Sequence, residues 1–292
     1  MAQLPQSAQN IIAILKKKGY KAYAVGGSVR DLLMNQATSG WDFTTNATPA
    51  HLLEIFPDSF YDNDFGTVGI PLKNEKSETE DVYEVTTYRS EKGYSNKRHP
   101  DEIIWGETLE HDLARRDLTI NAIATDGTKI IDPYNGQEDI KNKLIRAVGN
   151  AQERFSEDAL RLLRSVRIAT QLGFIIEEIT FAAIKKNAQL IKQISADRVR
   201  QELLKMMATD HPSDGILLLK NSGLLDEVLP ELVKAYGVDQ KSPNRHHIYD
   251  VGTHLTMSLF HCPSKDPLVR FATLLHDIGK PVVYKKDPAS GQ

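Results

Sequence analysis

The residues best suited to chemistry begin at Ala24 and run to Thr45, reading AVGGSVRDLLMNQATSGWDFTT. The apolar run Ala22–Val25 breaks at Gly26-Gly27 and resumes as SVRDLLM. That order reads as strand, glycine turn, helix start. Glycines at such a turn let backbone N–H groups approach an anion, and a helix N-terminus adds a favourable dipole. Arg30, one turn into the helix, can fork onto phosphate oxygens. Asp42 follows in a β-prone run with Trp41, Phe43, Thr44 and Thr45. A phosphate cradle followed by a strand-borne carboxylate is what metal-dependent phosphoryl transfer needs. No Gly-Lys-Ser/Thr follows the glycines, so the pattern is not a Walker A loop.

Further groups lie along the chain. Glu84 sits in the strand pattern VYEVTTYR; it reads either as a second carboxylate beside Asp42 or as an exposed strand charge. Arg115-Arg116-Asp117 opens the run RRDLTINAIA, whose polar side carries Arg116, Asp117 and Asn121. That set suits phosphate and ribose contacts, or a salt-bridged helix surface. Asp158, Arg161, Arg164 and Arg167 recur every three residues, a polar stripe interleaved with Leu160, Leu163 and Val166. An i,i+3 ion pair between Asp158 and Arg161 is the plain alternative. His254 and His276-Asp277 are sound metal-ligand types in a helical setting.

These groups must be positioned by two kinds of structure. Residues 6–18 read as helix, 21–26 strand, 28–35 helix, 41–45 strand and 48–56 helix, with Thr48 as N-cap and Pro49 at the first position. Strand patterns follow at 66–72 and 81–88, separated by a charged turn. Residues 89–106 read as a mobile loop, 108–124 as a helix and 129–132 as a short strand. From about 136 the patterns are helical to about 236, with breaks at Gly149, Gly173, Pro212 and Gly223. Residues 237–247 form a candidate linker with His246 and His247, and helix resumes over 248–280.

Four segments, in order, resemble the class II tRNA nucleotidyltransferase and poly(A) polymerase family, whose members include CCA-adding enzymes. They are VGGSVRD (25–31), WDFTTNATP (41–49), ARRDLTINAIA (114–124) and EDALRLLRSVR (157–167). The resemblance spans roughly residues 10–235. It implies an α+β fold, a nucleotidyltransferase head with a small mixed sheet and helices, followed by an all-α neck and body. The expected division is a catalytic head over 1–140, a nucleotide- and RNA-binding helical region over 141–236, and a partial HD-type helical region over 237–292.

The resemblance also implies roles. Gly27 and Arg30 would hold a triphosphate, with Arg116, Asp117 and Asn121 near the phosphates and the ribose 2′-hydroxyl. Asp158 and Arg161 would offer Watson–Crick-like edges to C or A, with Arg164 and Arg167 holding the triphosphate or the helix. The substrates would be CTP and ATP, the acceptor a tRNA or other RNA 3′ end, and the cofactor Mg²⁺ at Asp42. The family pattern at that strand is Asp-x-Asp, whereas this chain has Gly40-Trp41-Asp42. The first carboxylate is absent, and Glu84 is the candidate to supply one from a neighbouring strand. A nucleotide- or RNA-binding relative with impaired catalysis is therefore one alternative. The sequence LLHDIGKP resembles the HD phosphohydrolase signature, making His254, His276 and Asp277 possible metal ligands and an HD-type phosphohydrolase the other alternative. Such a site also needs a downstream Asp, and Asp287 lies only ten residues on, in what reads as a loop.

Bulk properties fit this reading. The chain has 292 residues, 40% of them hydrophobic, and a formal net charge of −3. Any nucleic-acid surface must then be a local patch. One cysteine, Cys262, excludes an internal disulfide and points to a reducing, cytoplasmic setting. No apolar stretch approaches the roughly 20 residues of a membrane span. The N-terminal segment reads as an amphipathic helix, not a signal peptide.

Overall fold

A computed structural model describes residues 3–38, 40–63, 66–74, 76–92, 102–105, 108–240 and 248–283. These divide into two compact units, residues 1–154 and 155–292. The first unit therefore extends 14 residues past the expected head boundary at 140.

The first unit opens with α1 (Gln6–Lys17), whose buried residues Ala8, Ile11, Ile12 and Leu15 follow the i, i+3, i+4, i+7 spacing of one helix face. Then come β1 (Ala22–Val25), α2 (Gly27–Leu33), β2 (Asp42–Thr45) and α3 (Pro49–Ile55). Thr48 caps α3 by accepting from the His51 backbone N–H at 3.4 Å, with Pro49 at the first position. Next are β3 (Phe60–Asn63), β4 (Thr67–Lys73), β5 (Thr79–Thr87), β6 (Arg89–Lys92), β7 (Glu102–Trp105) and α4 (Leu109–Ala114). Two short strands, β8 (Ala124–Thr125) and β9 (Ile130–Ile131), precede α5 (Gly136–Lys141), and α6 (Ala151–Glu157) begins in this unit and ends in the second.

Seven strands form one sheet in the order β3-β4-β5-β2-β1-β8-β9. The sheet is mixed: β2 and β5 run parallel, and the other described pairings within it are antiparallel. Strand alternation sorts the side chains between two faces. Ala22 and Ala24 of β1, Phe43 of β2, and Tyr83 and Val85 of β5 join α1 in the main core. Burying each Ile or Leu of α1 is worth about 1.5–3 kcal/mol, far more than its exposed Lys16–Asp126 ion pair. The opposite face carries Val25, Tyr88 and Ala124, covered by Leu109 and Leu113 of α4. Asp42 and Glu84 belong to this second face.

Two expectations are corrected in this unit. The segment 89–106 is not simply a loop: β6 and β7 pair antiparallel, Arg89 opposite Trp105 and Lys92 opposite Glu102. The residues between them, with 106, lie outside the described set. The helix expected over 108–124 ends at Ala114. Leu118 is extended and bridges to Ala147, and Thr119–Asn121 form a single 3₁₀ turn. The residues Leu118–Ala124 are all buried, so no solvent face exists for an amphipathic helix to present. The β-branched Thr119, Ile120 and Ile123 also favour this irregular course.

The second unit is helical. It holds α7 (Leu160–Leu172), α8 (Glu178–Asn187), α9 (Ala196–Met207), α10 (Pro212–Ser222), α11 (Leu224–Val228), α12 (Pro230–Val233), α13 (Val251–Phe260), α14 (Pro267–Leu275) and α15 (Lys280–Val283). The helix expected over 248–280 is thus three helices. Pro267 starts α14 below an Asp266 cap that accepts from Leu268 N–H at 2.7 Å. Buried Arg270 ties α14 to the end of α9 by donating to the Met207 carbonyl at 2.6 Å. Residues 241–247, with His246 and His247, and residues 284–292, with Asp287, lie outside the described set.

Candidate nucleotide and metal sites

The glycine turn is built as its sequence suggests. Gly26 has φ +81°, a conformation that glycine adopts without strain, and Gly27 opens α2. A Cβ at Gly26 would lie 3.1 Å from Asp42 Oδ2 and 3.2 Å from Arg116 Nη1. The absent side chain therefore leaves room where β2, α2 and the Arg116 segment converge.

Asp42 stands at the start of β2, directly opposite Glu84 of β5 in the parallel register. Registered neighbours lie about 4.8 Å apart and point to one face. Both residues are exposed. Two oxygen donors so placed fit Mg²⁺, which takes one or two carboxylates together with substrate phosphates. Gly40 contributes no donor. It lies before the strand at φ +69°, and its N–H donates to Asp81 Oδ2 at 3.3 Å.

Arg30 is buried. Its Nε donates to Asp31 Oδ1 at 2.9 Å, and Nη1 donates to Asn121 Oδ1 at 2.9 Å. Asn121 Nδ2 donates to Asp117 Oδ1 at 3.2 Å, and its backbone carbonyl accepts from Arg116 Nη1 at 3.5 Å. Asn121 is thus the hub joining Arg30, Asp117 and Arg116. Arg30 and Asp117 therefore hold Asn121 between them, Arg30 from α2 and Asp117 from the segment after α4.

Sequence reading passed over Asp112. Its side chain is fully buried. It accepts from Arg115 Nη2 at 2.6 Å and Nε at 3.0 Å, and from Arg116 Nη2 at 3.4 Å. Burial pushes its carboxyl up, but the Arg115 and Arg116 guanidiniums outweigh burial and hold it below the usual range. The signal was present as DLARR, an aspartate three and four residues before two arginines. Nearby Tyr88 is a buried phenol whose pKa is pushed far up, chiefly by burial and then by Tyr23 and Asp112, so it stays protonated.

The second unit holds the other set. Arg161 donates to Glu157 Oε2 at 2.6 Å, and Asp158 lies 3.5 Å from Arg198 Nη2. Asp158 Oδ1 also accepts from the Leu160 N–H at 3.0 Å. Asp158 thus meets Arg198 and Arg161 meets Glu157, residues the three-residue spacing did not single out. Arg164 is half-buried on α7. Arg167 joins α7 to α9 through Glu202 at 2.5 Å and also meets Gln171 at 2.8 Å, which suits holding the helix.

His254, His276 and Asp277 do come together. His254 Nε2 lies 3.2 Å from His276 Nε2 and 3.6 Å from Asp277 Oδ2, and the third edge is 3.4 Å. Ligands on a tetrahedral metal with bonds of about 2.1 Å are about 3.4 Å apart, so this triangle matches one coordination face. His276 Nδ1 lies 2.8 Å from the Thr273 carbonyl, which fixes Nδ1 as the donor and turns the Nε2 lone pair inward. Lys280 Nζ sits 2.5 Å from Asp277 Oδ2. Burial pushes Asp277 up, but Lys280 and the two histidines hold it below its usual range.

Comparison with known proteins agrees with the fold. The family model "Poly A polymerase head domain" matches residues 22–146. The model "Probable RNA and SrmB- binding site of polymerase A" matches residues 173–236. A CCA-adding enzyme of Lactobacillus helveticus is 41% identical over 243 residues, covering 81% of this chain and 59% of the relative. A CCA-adding enzyme of Geobacillus kaustophilus is 43% identical over 222 residues, covering 75% of this chain and 53% of the relative. The chain thus spans somewhat over half the length of these curated relatives. The crystal structure of the Bacillus stearothermophilus CCA-adding enzyme in complex with CTP superimposes with a TM-score of 0.70 at 31% identity, covering 96% of this chain and 72% of that one. With its glycine turn, its strand-borne carboxylate and both matched regions in order, the chain belongs to the class II tRNA nucleotidyltransferase and poly(A) polymerase family.

Proposed function

We propose that the chain is a template-independent nucleotidyltransferase that adds C and A to the 3′ end of tRNA, consuming CTP and ATP and releasing pyrophosphate. The observation that carries this reading is the convergence of Asp42 and Arg116 on the space left by Gly26, with Glu84 opposite Asp42 in the parallel register. Asp42 and Glu84 are the residues that would hold Mg²⁺, which when bound supplies positive charge to the attacking 3′-hydroxyl and the leaving pyrophosphate. Gly26 and Gly27 let backbone N–H groups approach the triphosphate, and Arg116 offers a guanidinium to its oxygens. Attack by the 3′-hydroxyl on the α-phosphate forms one P–O bond and breaks the bond to pyrophosphate. Arg161 and Asp158 select the base: a guanidinium donates to ring nitrogen or carbonyl, and a carboxylate accepts from an exocyclic amine. C and A carry that amine where G and U carry a carbonyl. Selection requires Arg161 to leave Glu157 and Asp158 to leave Arg198. The single cysteine supports a cytoplasmic setting.

The test is incorporation of labelled CMP and AMP into tRNA lacking its 3′ end, with each nucleotide alone and both together in Mg²⁺. Incorporation of C, then A, is expected. Binding of CTP and ATP without incorporation would instead identify a catalytically impaired relative.

The triangle of His254, His276 and Asp277 favours a second, separate reading: a metal-dependent phosphohydrolase centre in the helical unit. Its test is Mn²⁺- or Zn²⁺-dependent cleavage of a phosphodiester, lost in His276→Ala.

A further inference from the structure

We propose that Asp112 is a positioning residue for Arg116, holding its guanidinium beside Gly26 and so setting the affinity of the cradle for a triphosphate. The inference deepens the nucleotidyltransferase reading and rests on it.

Asp112 is the buried partner of a group that faces outward. Its side chain has no exposed area, whereas Arg115 and Arg116 keep 18% and 17%. One buried negative charge serves two guanidiniums, so these three groups together keep one positive charge. The two arginines are not held alike. Arg115 makes two short bonds to Asp112 Oδ1, at 2.6 and 3.0 Å. Arg116 is held at longer range, by Asp112 Oδ2 at 3.4 Å and the Asn121 carbonyl at 3.5 Å. Its buried Nε has no partner. A guanidinium has five N–H donors, so Arg116 keeps donor capacity directed at the space beside Gly26. Arg115 serves to lock Asp112, and Asp112 serves to orient Arg116.

The alternative position for Arg116 is close by. Arg116 Nη1 and Asp42 Oδ2 both approach the point where a Gly26 Cβ would be, at 3.2 and 3.1 Å. Without the negative charge of Asp112 behind it, the guanidinium is drawn onto Asp42. That shift removes a phosphate contact and occupies a carboxylate of the proposed metal pair.

The test is calorimetry on the full chain with CTP, ATP and inorganic tripolyphosphate, the last probing phosphate recognition alone. Asp112→Asn keeps the shape and removes the charge. Its affinity for all three is expected to fall about tenfold. Arg116→Gln is expected to lose at least as much, and the double variant no more than Arg116→Gln. In the incorporation assay the KM for CTP should rise by a larger factor than kcat falls. Wild-type affinity in Asp112→Asn overturns the proposal, and so does a double variant whose loss is the product of the two single losses. A wild-type chain that binds none of the three probes overturns the functional reading, and this inference with it. If Asp112→Asn does not fold, the cycle is run with Asp112→Glu, which keeps the charge but displaces it by one methylene. A loss that disappears in the Arg116→Gln background supports the proposal, and no loss beside intact Arg116 overturns it.

Discussion

Asp42 is exposed at a strand end and contributes little to packing. Its replacement therefore separates chemistry from stability. Asp42→Ala should reduce nucleotide incorporation to background while changing stability by no more than about 0.5 kcal/mol, as for other surface positions. Incorporation persisting at a tenth of wild type would place the metal elsewhere. Gly40 makes a different case. Restoring a carboxylate there is the obvious repair if only the sequence is considered. The backbone argues against a simple gain. Gly40 lies outside β2 at φ +69°, where an L-residue costs roughly 1–2 kcal/mol, although aspartate is among the residues that tolerate it. A Cβ there meets no atom within 4 Å, so nothing orients the new side chain toward Asp42. Gly40→Asp is expected to lower the urea midpoint and leave the incorporation rate within about threefold, well under the 1.4 kcal/mol that a tenfold change represents. A tenfold gain in rate would mean that the segment moves into strand register and that a third carboxylate was the missing element.

The elements divide between those whose pattern is local and those set by the surrounding fold. β1 was legible as a short apolar run, β2 and β5 as runs rich in β-branched and aromatic residues, and α2 because two glycines break the apolar run before SVRDLL. The sequence offered Glu84 either as a carboxylate beside Asp42 or as an exposed strand charge, and the parallel register puts the two residues opposite one another. β3 was not legible, because FYDN is four residues with no run of alternation. The β6–β7 pair was hidden by charge and proline between its strands. The segment after Ala114 misled because an apolar run with polar residues at intervals resembles a helix face. Its burial on all sides depends on strands distant in sequence. Asp112 was passed over for a related reason: at i+3 and i+4 it reads as a surface ion pair worth tenths of a kcal/mol. Burial makes it far more costly to disturb, because removing one partner of a buried pair costs roughly 3–5 kcal/mol. This has a pH signature. A carboxyl held below its ordinary value stabilises the fold above the unfolded pKa, and that stabilisation is lost as pH falls through the folded value. The stability gap between wild type and Asp112→Asn should stay constant from pH 7 to 5 and begin to narrow below about pH 3.8, the unperturbed value. Urea unfolding at pH 7, 5, 4 and 3 measures it. A gap that widens toward pH 3 would mean that Asp112 is neutral in the folded protein.

At the scale of the molecule, two compact units bring together two different sets of potential metal ligands. The first offers oxygen donors, Asp42 and Glu84, and suits Mg²⁺. The second offers two imidazole nitrogens and one carboxylate, with edges of 3.2 to 3.6 Å, and suits Zn²⁺ or a similar transition metal. The second set already has a cation beside it. Lys280 Nζ pairs with Asp277 Oδ2 at 2.5 Å and also donates to Gln240 at 3.1 Å. A metal must share or displace that contact, and a second positive charge near the ligands opposes its entry. Lys280→Met keeps much of the side-chain length and removes the charge, so it should raise Zn²⁺ affinity. Each tenfold gain corresponds to about 1.4 kcal/mol of binding free energy. Scanning calorimetry gives a readout independent of catalysis. Ligand at 100 times its dissociation constant stabilises the unit that binds it by about 2.7 kcal/mol. Zn²⁺ should therefore raise the unfolding temperature of the unit spanning 155–292, raise it further at the same concentration in Lys280→Met, and leave His276→Ala unchanged. Mg²⁺ at equal concentration should move none of these transitions. A Zn²⁺ shift that survives His276→Ala would show that the ion binds outside the triangle, and the coordination face formed by His254, His276 and Asp277 would then be a hydrogen-bonded cluster with no metal role.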